Sequence, residues 1–170
     1  MISESQMTLG SNFHGGIDPT GWLVSEKLNG CRAYYDGSQF WTRGGFVIAA
    51  PDWFMDGLPG VPLDGEIWAG RGRFEEARCA VQYGHWTRRC RFVAFDAPDV
   101  PGRWQRRMAT AGRLWRDVVT FEACQGHGWL MERLQDVQRG GGEGLVIRNP
   151  VITGYETGRT ANLLKVKTPI

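Results

Sequence analysis

The sequence predicts an α+β domain with largely antiparallel sheets, on the basis of three observations. Short segments rich in aromatic and β-branched residues recur along the chain, and Gly or Asp-Gly bounds them as it bounds β-strands. Helical stretches interrupt these segments in a mixed order. The 170 residues are 42% hydrophobic and 22% charged, which is typical of one globular domain with a single core.

Seven segments are predicted to form the strands. They are GWLVSEK (21–27), CRAYYDG (31–37), QFWTRGG (39–45), PLDGEIW (62–68), CRFVAFDAP (90–98), EGLVIRNP (143–150) and ANLLKVK (161–167). Asp36-Gly37 lies between two runs of alternating character, which predicts a hairpin.

Helices are predicted over residues 74–82, 105–121 and 130–139. The middle one is the clearest, because its apolar residues recur at intervals of three and four, as one buried helix face requires. Five arginines and two tryptophans lie between Arg103 and Arg116 without an acidic residue. Such a run is more often a solvated helix face, but a DNA-backbone footprint stays equally open here, because arginines neutralise phosphates and release counterions.

Residues 1–20 are rich in Gly, Ser and Pro with little periodicity, so we expect a loosely structured leader before a domain over 21–170. The formal net charge of +2 is too small to indicate nucleic-acid binding by itself, and any basic surface must be local. The four cysteines form no C-x-x-C pair, which argues against a disulfide or zinc framework. Neither a signal sequence nor a stretch of ~18 apolar residues is present, so we expect a cytoplasmic protein without membrane contact.

Lys27 ends the first predicted strand and precedes a turn with Asn29 and Gly30. A neutral amine is a good nucleophile, but the reference pKa of lysine, ~10.4, keeps it protonated at neutral pH. Nearby cations such as Lys165 and Lys167, or a bound metal ion, would favour loss of that proton. A single lysine is more often a solvated surface residue, so the surrounding pattern has to decide.

That pattern, K-L-N-G-C-R at 27–32, resembles the K-x-D/N-G-x-R signature of the covalent nucleotidyltransferases, which include DNA ligases, RNA ligases and mRNA capping enzymes. Five further motifs of this superfamily follow in order. They are W-T-R-G-G (41–45), L-D-G-E-I (63–67), F-V-A-F-D (92–96), E-G-L-V-I-R (143–148) and L-L-K-V-K (163–167). Longer matches resemble the small bacterial accessory type of ATP-dependent DNA ligase, over about residues 21–167.

The resemblance implies a nucleotidyltransferase (adenylation) fold of two packed, largely antiparallel sheets flanked by helices, similar to ATP-grasp proteins. It also implies ATP as co-substrate, Mg²⁺ as cofactor and nicked double-stranded DNA as partner. Lys27 would be the nucleophile that becomes linked to AMP. Such catalysis rests mostly on positioning and charge neutralisation, because the α-phosphate of ATP is anionic.

The resemblance also assigns roles to other residues. Glu66 would bind the ribose, Phe95 would stack on adenine, and Glu143 would bind the metal. Lys165 and Lys167 alternate along a strand and so point the same way, toward one triphosphate. Arg32 and Arg43 are planar donors suited to a two-point grip on phosphate. The implied nucleotide-binding residues are Glu26, Arg32, Glu66, Phe95, Lys165 and Lys167, and the implied DNA- or phosphate-binding residues are Arg43, Arg148 and Arg159.

Two features depart from the family pattern. Asn29 stands where DNA ligases usually carry Asp, which changes a charge near the nucleophile. The sequence also ends at Ile170, where family members continue into an OB-fold domain, so we expect that domain to be absent. The chain is then a shortened piece, a naturally minimal ligase, or a ligase that borrows the missing function from a separate clamp or partner protein. In each case we expect a monomer.

Three alternatives to a DNA ligase stay open at this point. An RNA ligase of the same superfamily is favoured by Asn29. A catalytically weak nucleotide- or DNA-binding module would keep the fold without the chemistry. A GTP-using capping enzyme ranks last, because the longer matches resemble ligases.

Overall fold

The framework of the protein is a pair of five-stranded β-sheets, seen in a computed structural model that describes residues 2–168. The first sheet contains, in spatial order, β1 (Thr8–Asn12), β10 (Gly158–Val166), β9 (Gly144–Arg148), β2 (Leu23–Lys27) and β8 (Glu122–Ala123). Its strands are antiparallel except for β1, which lies parallel to β10.

The second sheet is antiparallel throughout. Its strands, in spatial order, are β5 (Val47–Ile48), β4 (Phe40–Thr42), β3 (Cys31–Tyr35), β6 (Leu63–Trp68) and β7 (Arg91–Asp96). The β3–β4 hairpin turns at Asp36, as predicted. The Asp36 side chain accepts hydrogen bonds from the backbone N–H of Ser38 and of Gln39, at 2.8 and 2.9 Å, which fixes the turn.

Within residues 2–168, four α-helices cover the sheets: α1 (Asp52–Met55), α2 (Phe74–Tyr83), α3 (Trp104–Leu114) and α4 (His127–Arg139). A short 3₁₀ turn, Glu4–Gln6, precedes β1. Helix α4 buries Leu130 and Leu134 against the first sheet, and α3 packs on β7. An apolar cluster that includes Leu23, Val93 and Met108 joins the two sheets. The predicted α+β class with two largely antiparallel sheets is confirmed.

The expected loose leader is wrong over residues 4–13, because residues 4–6 form the 3₁₀ turn, residues 8–12 form β1, and both Met7 and Phe13 are buried. The segment T-L-G-S-N has little alternation of apolar and polar residues. Its structure comes instead from hydrogen bonding to β10, which lies about 150 positions later in the chain. A local sequence pattern cannot report such a pairing.

The predicted helix over residues 105–121 ends early, at Leu114. From Trp115 the chain is extended and runs beside β7, where the N–H of Ala94 donates to the carbonyl of Asp117 and the N–H of Val119 donates to the carbonyl of Ala94, both at 2.9 Å. Val119 is buried in this arrangement. The apolar residues after α3 therefore pack into the core as extended chain. Their spacing at intervals of three and four residues had wrongly predicted that the helix continues.

Gly65 lies where β3, β6 and β7 are tightly packed, and replacing it with Ala should destabilise the fold. A Cβ at this position would lie 2.4 Å from the Val93 carbonyl oxygen and 2.6 Å from the ring of Phe92. We expect Gly65→Ala to lower the free energy of unfolding in urea by about 1–3 kcal/mol. Gly60→Ala is the matched control, because a Cβ there meets nothing within 4 Å. Equal stabilities of the two variants would contradict the packing described.

Candidate active site

A cleft lies between the two sheets, with walls from β2, β9 and β10 on one side and β3, β6 and β7 on the other. Seven of the eleven site residues predicted from the sequence line it. The lining residues are Thr8, Gly10, Ser25, Glu26, Lys27, Leu28, Arg32, Asp64, Glu66, Phe95, Asp96, Val119, Val146, Arg148, Leu163 and Lys165. Residues from motifs that are far apart in sequence therefore share one pocket.

Lys27 and Lys167 share the carboxylate of Glu143 at the mouth of this cleft. The Lys27 Nζ lies 2.7 Å from Glu143 Oε2, and the Lys167 Nζ lies 2.5 Å from Oε1. Lys27 pairs with Gly144 across β2 and β9, which brings Glu143 alongside the lysine. Burial opposes ionisation of Glu143, but the hydrogen bonds from Lys167 and Lys27 outweigh it and hold the pKa of the carboxyl below its usual range.

The chain contains only three lysines, and all of them belong to this cluster. Lys165 lines the cleft, while Leu164 and Val166, its neighbours along β10, are buried on the opposite face. Partial burial, followed by the charges of Lys167, Arg159 and Lys27, lowers the pKa of Lys165. The site thus concentrates three primary amines, and the like charges around Lys165 disfavour its protonated form.

Glu66 lies deeper in the cleft on β6, where its Oε1 accepts a hydrogen bond from the N–H of Gly30 at 3.2 Å. Burial raises the pKa of Glu66 to about 7, against the opposing charges of Arg32 and Lys27. Position 30 must be glycine, because a Cβ there would lie 2.3 Å from the Ile67 carbonyl oxygen. The glycine of the K-L-N-G-C-R segment therefore lets the turn after Lys27 approach the Glu66 strand.

Arg32 does not offer both edges of its guanidinium to the cleft. Its Nε and Nη2 already grip the two carboxylate oxygens of Asp64, at 2.7 and 2.6 Å. The guanidinium also lies 4.7 Å from the centre of the Phe95 ring. The expected two-point grip of Arg32 on phosphate is thus made on a buried protein carboxylate instead.

Arg148 forms part of the floor of the cleft. It is buried, donates to Ser25 Oγ at 3.0 Å and stacks 4.2 Å from the centre of the Trp104 ring. Burial lowers the pKa of Arg148 to about 10, although the Asp96 carboxylate partly offsets this. Its charge lies close enough to the pocket to act on a bound anion.

Three other predicted residues are held by protein partners. Glu26 accepts two hydrogen bonds from Arg71, both at 2.8 Å. Arg43 is half exposed and pairs with Glu4. Arg159 donates to the carbonyl of Gly10 at 3.0 Å. Among the described residues, neither Arg43 nor Arg159 lines the cleft, and their phosphate-binding roles stay predictions.

The site suits a magnesium ion held by one protein carboxylate together with phosphate oxygens. Within residues 2–168 no group of three or more His, Cys, Asp or Glu residues could enclose a metal by itself. Magnesium commonly takes one or two protein carboxylates and completes its shell with phosphate oxygens and water. Glu143 could supply such a ligand if its lysine partners moved away.

Comparisons with known proteins agree with this geometry. A DNA ligase of Haemophilus influenzae is 31% identical over 157 residues, which is 87% of this chain and 58% of that protein. A solved structure of a Lig E DNA ligase, from a study of DNA binding with a minimal scaffold, superposes with a TM-score of 0.88 at 32% identity. That match covers 96% of this chain and 68% of the other. The chain belongs to the DNA ligase family.

A Chlorella virus DNA ligase-adenylate shares the fold at a TM-score of 0.80 and 20% identity, over 96% of this chain and 67% of that one. No family model matches the sequence. The chain spans 58% of the length of the Haemophilus ligase, so the match concerns part of that protein. In the part of the chain that the structure describes, no helix is long and apolar enough to cross a membrane.

Several residues of the cleft were not predicted from the sequence. Asp64 is fully buried and binds Arg32. It lies in the L-D-G-E-I motif, in which only Glu66 was predicted to be a site residue. A carboxylate inside an apolar strand needs partners, and that was an available signal. Tyr155 and Thr8 gave no such signal.

The arginine run between Arg103 and Arg116 does not form one exposed face, because Arg107 is buried against Asp96 and both tryptophans of the run belong to the core.

Stability should depend on pH through Glu66. Its pKa is raised to about 7 from 4.5, so the folded protein holds this proton more tightly than the unfolded chain does. The stabilising contribution is full below pH 4.5 and is lost as the pH rises through about 7. The stability of the wild type relative to Glu66→Gln should therefore fall over this interval, by on the order of 1 kcal/mol or more.

Urea unfolding at a series of pH values measures this difference. Glu132→Gln, which removes a carboxylate from the exposed face of α4, is the matched control and should give a flat difference. A Glu66→Gln difference that does not change with pH would show that Glu66 titrates normally.

Proposed function

We propose that this chain provides the nucleotidyltransferase activity of an ATP-dependent DNA ligase, with residues 21–170 as the adenylation domain and Lys27 as the nucleophile. The observation that carries the proposal is the lysine cluster in the cleft, where Lys27 and Lys167 share Glu143 and Lys165 lies alongside. Three amines at one pocket suit a reaction at an anionic phosphate, because they supply both the nucleophile and the charge that neutralises the phosphate.

The proposed reaction has three steps. The neutral Lys27 amine attacks the α-phosphorus of ATP, the bond to the β-phosphate oxygen breaks, and pyrophosphate leaves with the electron pair. A 5′-phosphate oxygen of nicked DNA then attacks the same phosphorus and displaces the Lys27 amine. Finally the 3′-hydroxyl attacks the 5′-phosphorus, loses its proton to solvent and expels AMP.

The ion pair between Lys27 and Glu143 must separate before the first step. At 2.7 Å the carboxylate stabilises the ammonium form, which has no lone pair for attack. Once the carboxylate is engaged elsewhere, the charges of Lys165 and Lys167 favour loss of the Lys27 proton. The observed arrangement therefore corresponds to a resting nucleophile.

Other residues of the cleft bind and orient the nucleotide. Glu66 accepts hydrogen bonds from the ribose, Phe95 stacks on adenine, and Glu26 borders the pocket beside the nucleophile. Lys165 and Lys167 neutralise the phosphates, with Lys167 assisting the departure of pyrophosphate. Arg32 and Arg148 lie within reach of the same anion, and Arg43 and Arg159 are assigned to the phosphates of DNA.

ATP is the proposed co-substrate and Mg²⁺ the proposed cofactor. Glu143 would hold the ion, which when bound neutralises phosphate charge. This role gives Glu143 a reason to leave Lys27, because a carboxylate that binds a metal is a weaker partner for an ammonium group.

The proposed partner is nicked double-stranded DNA, bound by a cytoplasmic monomer. Support comes from the structural similarity to a Lig E DNA ligase that was studied for DNA binding. A separate clamp or partner protein is a second proposed partner, which would contribute to the grip on DNA.

Incubation with ATP labelled at the α-phosphate should give a covalently labelled protein that keeps the label through denaturing gel electrophoresis. Lys27→Ala and Lys27→Arg should lose the label, because neither provides a primary amine at this position. Since the chain has three lysines, peptide mapping assigns the label without ambiguity. Arg139→Ala, which alters an exposed pair with Asp136 on α4, is the control and should label normally. An unlabelled wild-type protein would refute the enzymatic proposal.

A chase with unlabelled nicked duplexes identifies the acceptor. We expect the label to pass to nicked DNA and to produce sealed strands. Preference for nicked RNA would favour the RNA ligase alternative, which Asn29 encourages. ATP binding without labelling would indicate a catalytically weak binding module, and competition by GTP would indicate a capping-type enzyme.

A further inference from the structure

A closed ring of hydrogen bonds lies at the inner edge of the cleft. It includes Thr8 and Tyr155, which lie outside the six sequence motifs. The N–H of Thr8 donates to the Tyr155 hydroxyl oxygen at 3.0 Å, and the Tyr155 hydroxyl donates to Asp64 Oδ2 at 2.5 Å. Asp64 binds Arg32, whose Nη2 donates back to the Thr8 carbonyl oxygen at 3.1 Å. The ring joins β1, the β9–β10 loop, β6 and β3, and therefore both sheets.

The direction of each hydrogen bond in the ring is fixed. Because the Thr8 N–H points at the tyrosine oxygen, the hydroxyl proton of Tyr155 is left for Asp64. Burial and the charge of Asp64 raise the pKa of Tyr155 well above its ordinary value, so the hydroxyl remains a donor. Asp64 is 0% exposed, and Tyr155 satisfies an oxygen that would otherwise be bound by Arg32 alone.

The ring leaves one nitrogen of Arg32 available. Nε and Nη2 are committed to Asp64 and Thr8. Among residues 2–168, Nη1 donates a hydrogen bond to no protein group, and Arg32 lines the cleft. A guanidinium held on two sides can present its remaining N–H groups in one orientation only.

We propose that Tyr155, together with the backbone of Thr8, is a positioning residue that orients Arg32 through Asp64 so that Nη1 donates to a phosphate oxygen in the cleft. This inference rests on the proposed function for the phosphate chemistry. Two sources can supply that oxygen: the bound nucleotide and the 5′-phosphate of the nick. Tyr155 touches neither ligand and acts only through Arg32.

The β9–β10 loop and β1, which carry Tyr155 and Thr8 of the ring, are also hydrogen-bonded to each other. The Thr8 hydroxyl donates to the carbonyl of Glu156, and the N–H of Gly158 donates to the carbonyl of Met7 at 2.9 Å. The chain that follows Tyr155 is therefore fixed to residues 7 and 8. Such support is what a positioning group requires, since small displacements of a catalytic donor cost rate steeply.

Tyr155→Phe tests the inference, because it removes the hydroxyl and keeps the ring. We expect single-turnover transfer of AMP to nicked DNA, or the dissociation constant for ATP, to worsen about tenfold. A loss confined to the transfer step identifies the nick phosphate as the source, and weaker ATP binding identifies the nucleotide. Tyr83→Phe, at an exposed tyrosine of α2, is the control and should stay within about twofold of wild type.

A double-mutant cycle with Arg32→Ala separates positioning from a general effect on structure. If Tyr155 acts through Arg32, adding Tyr155→Phe to Arg32→Ala should cause no further loss. Full additivity, or wild-type values for Tyr155→Phe in both assays, would overturn the inference. If the wild type forms no lysyl-AMP, which would reject only the proposed function, the dissociation constants for ATP and for nicked DNA with a 5′-phosphate decide the question in place of transfer.

Urea unfolding of each variant confirms that it is folded under the assay conditions. Should Tyr155→Phe fail to fold, Asp64→Asn provides the second test, because its neutral amide keeps the shape of the side chain and weakens the grip on Arg32. The same tenfold loss is expected from it, and unchanged ATP binding and transfer would again contradict the inference.

Discussion

The buried carboxylate of Asp64 is the interaction on which the cleft depends. An ionised group without exposure to water is tolerated only when strong donors surround it, and here Arg32 and Tyr155 supply them. These donors come from β3 and from the loop between β9 and β10, so satisfying one charge fixes elements of both sheets. Together with the hydrogen bond from Arg32 to Thr8, these contacts tie the two sheets to each other at the cleft.

Basic residues are divided between two kinds of work in this protein. Arginine, which accounts for seventeen of the twenty basic residues, keeps its charge under nearly all conditions and forms fixed pairs such as Arg107 with Asp96. Lysine can lose its proton and become a nucleophile, and its three occurrences are confined to the cleft. Restricting lysine to the site places the reactive amines together and keeps structural ion pairs out of the chemistry.

Much of the fold could be predicted from local patterns, because all seven predicted segments contain a strand and three helices begin or end near their predicted limits. The failures share a cause. The strand β1 and the extended chain after Leu114 are determined by hydrogen bonds to distant segments. Within the site, motifs indicated Lys27 and Glu143, but the ion pair between them depends on the β2–β9 register. Tyr155 lies outside the six motifs, and its place in the site follows only from the ring of hydrogen bonds in the folded protein.

The shared carboxylate of Glu143 also links two requirements of the chemistry. In the proposed reaction its oxygen atoms contact Lys27 and Lys167 first, and the ion pair favours the ammonium form of the nucleophile, which has no lone pair for attack. Under the proposed role of Glu143 in holding Mg²⁺, metal binding and release of Lys27 would be coupled, because one carboxylate cannot serve both partners at full strength. A nucleotide that arrives with its metal would activate Lys27 by competing for this carboxylate. The lysine would then become reactive only when a phosphate is present to receive it.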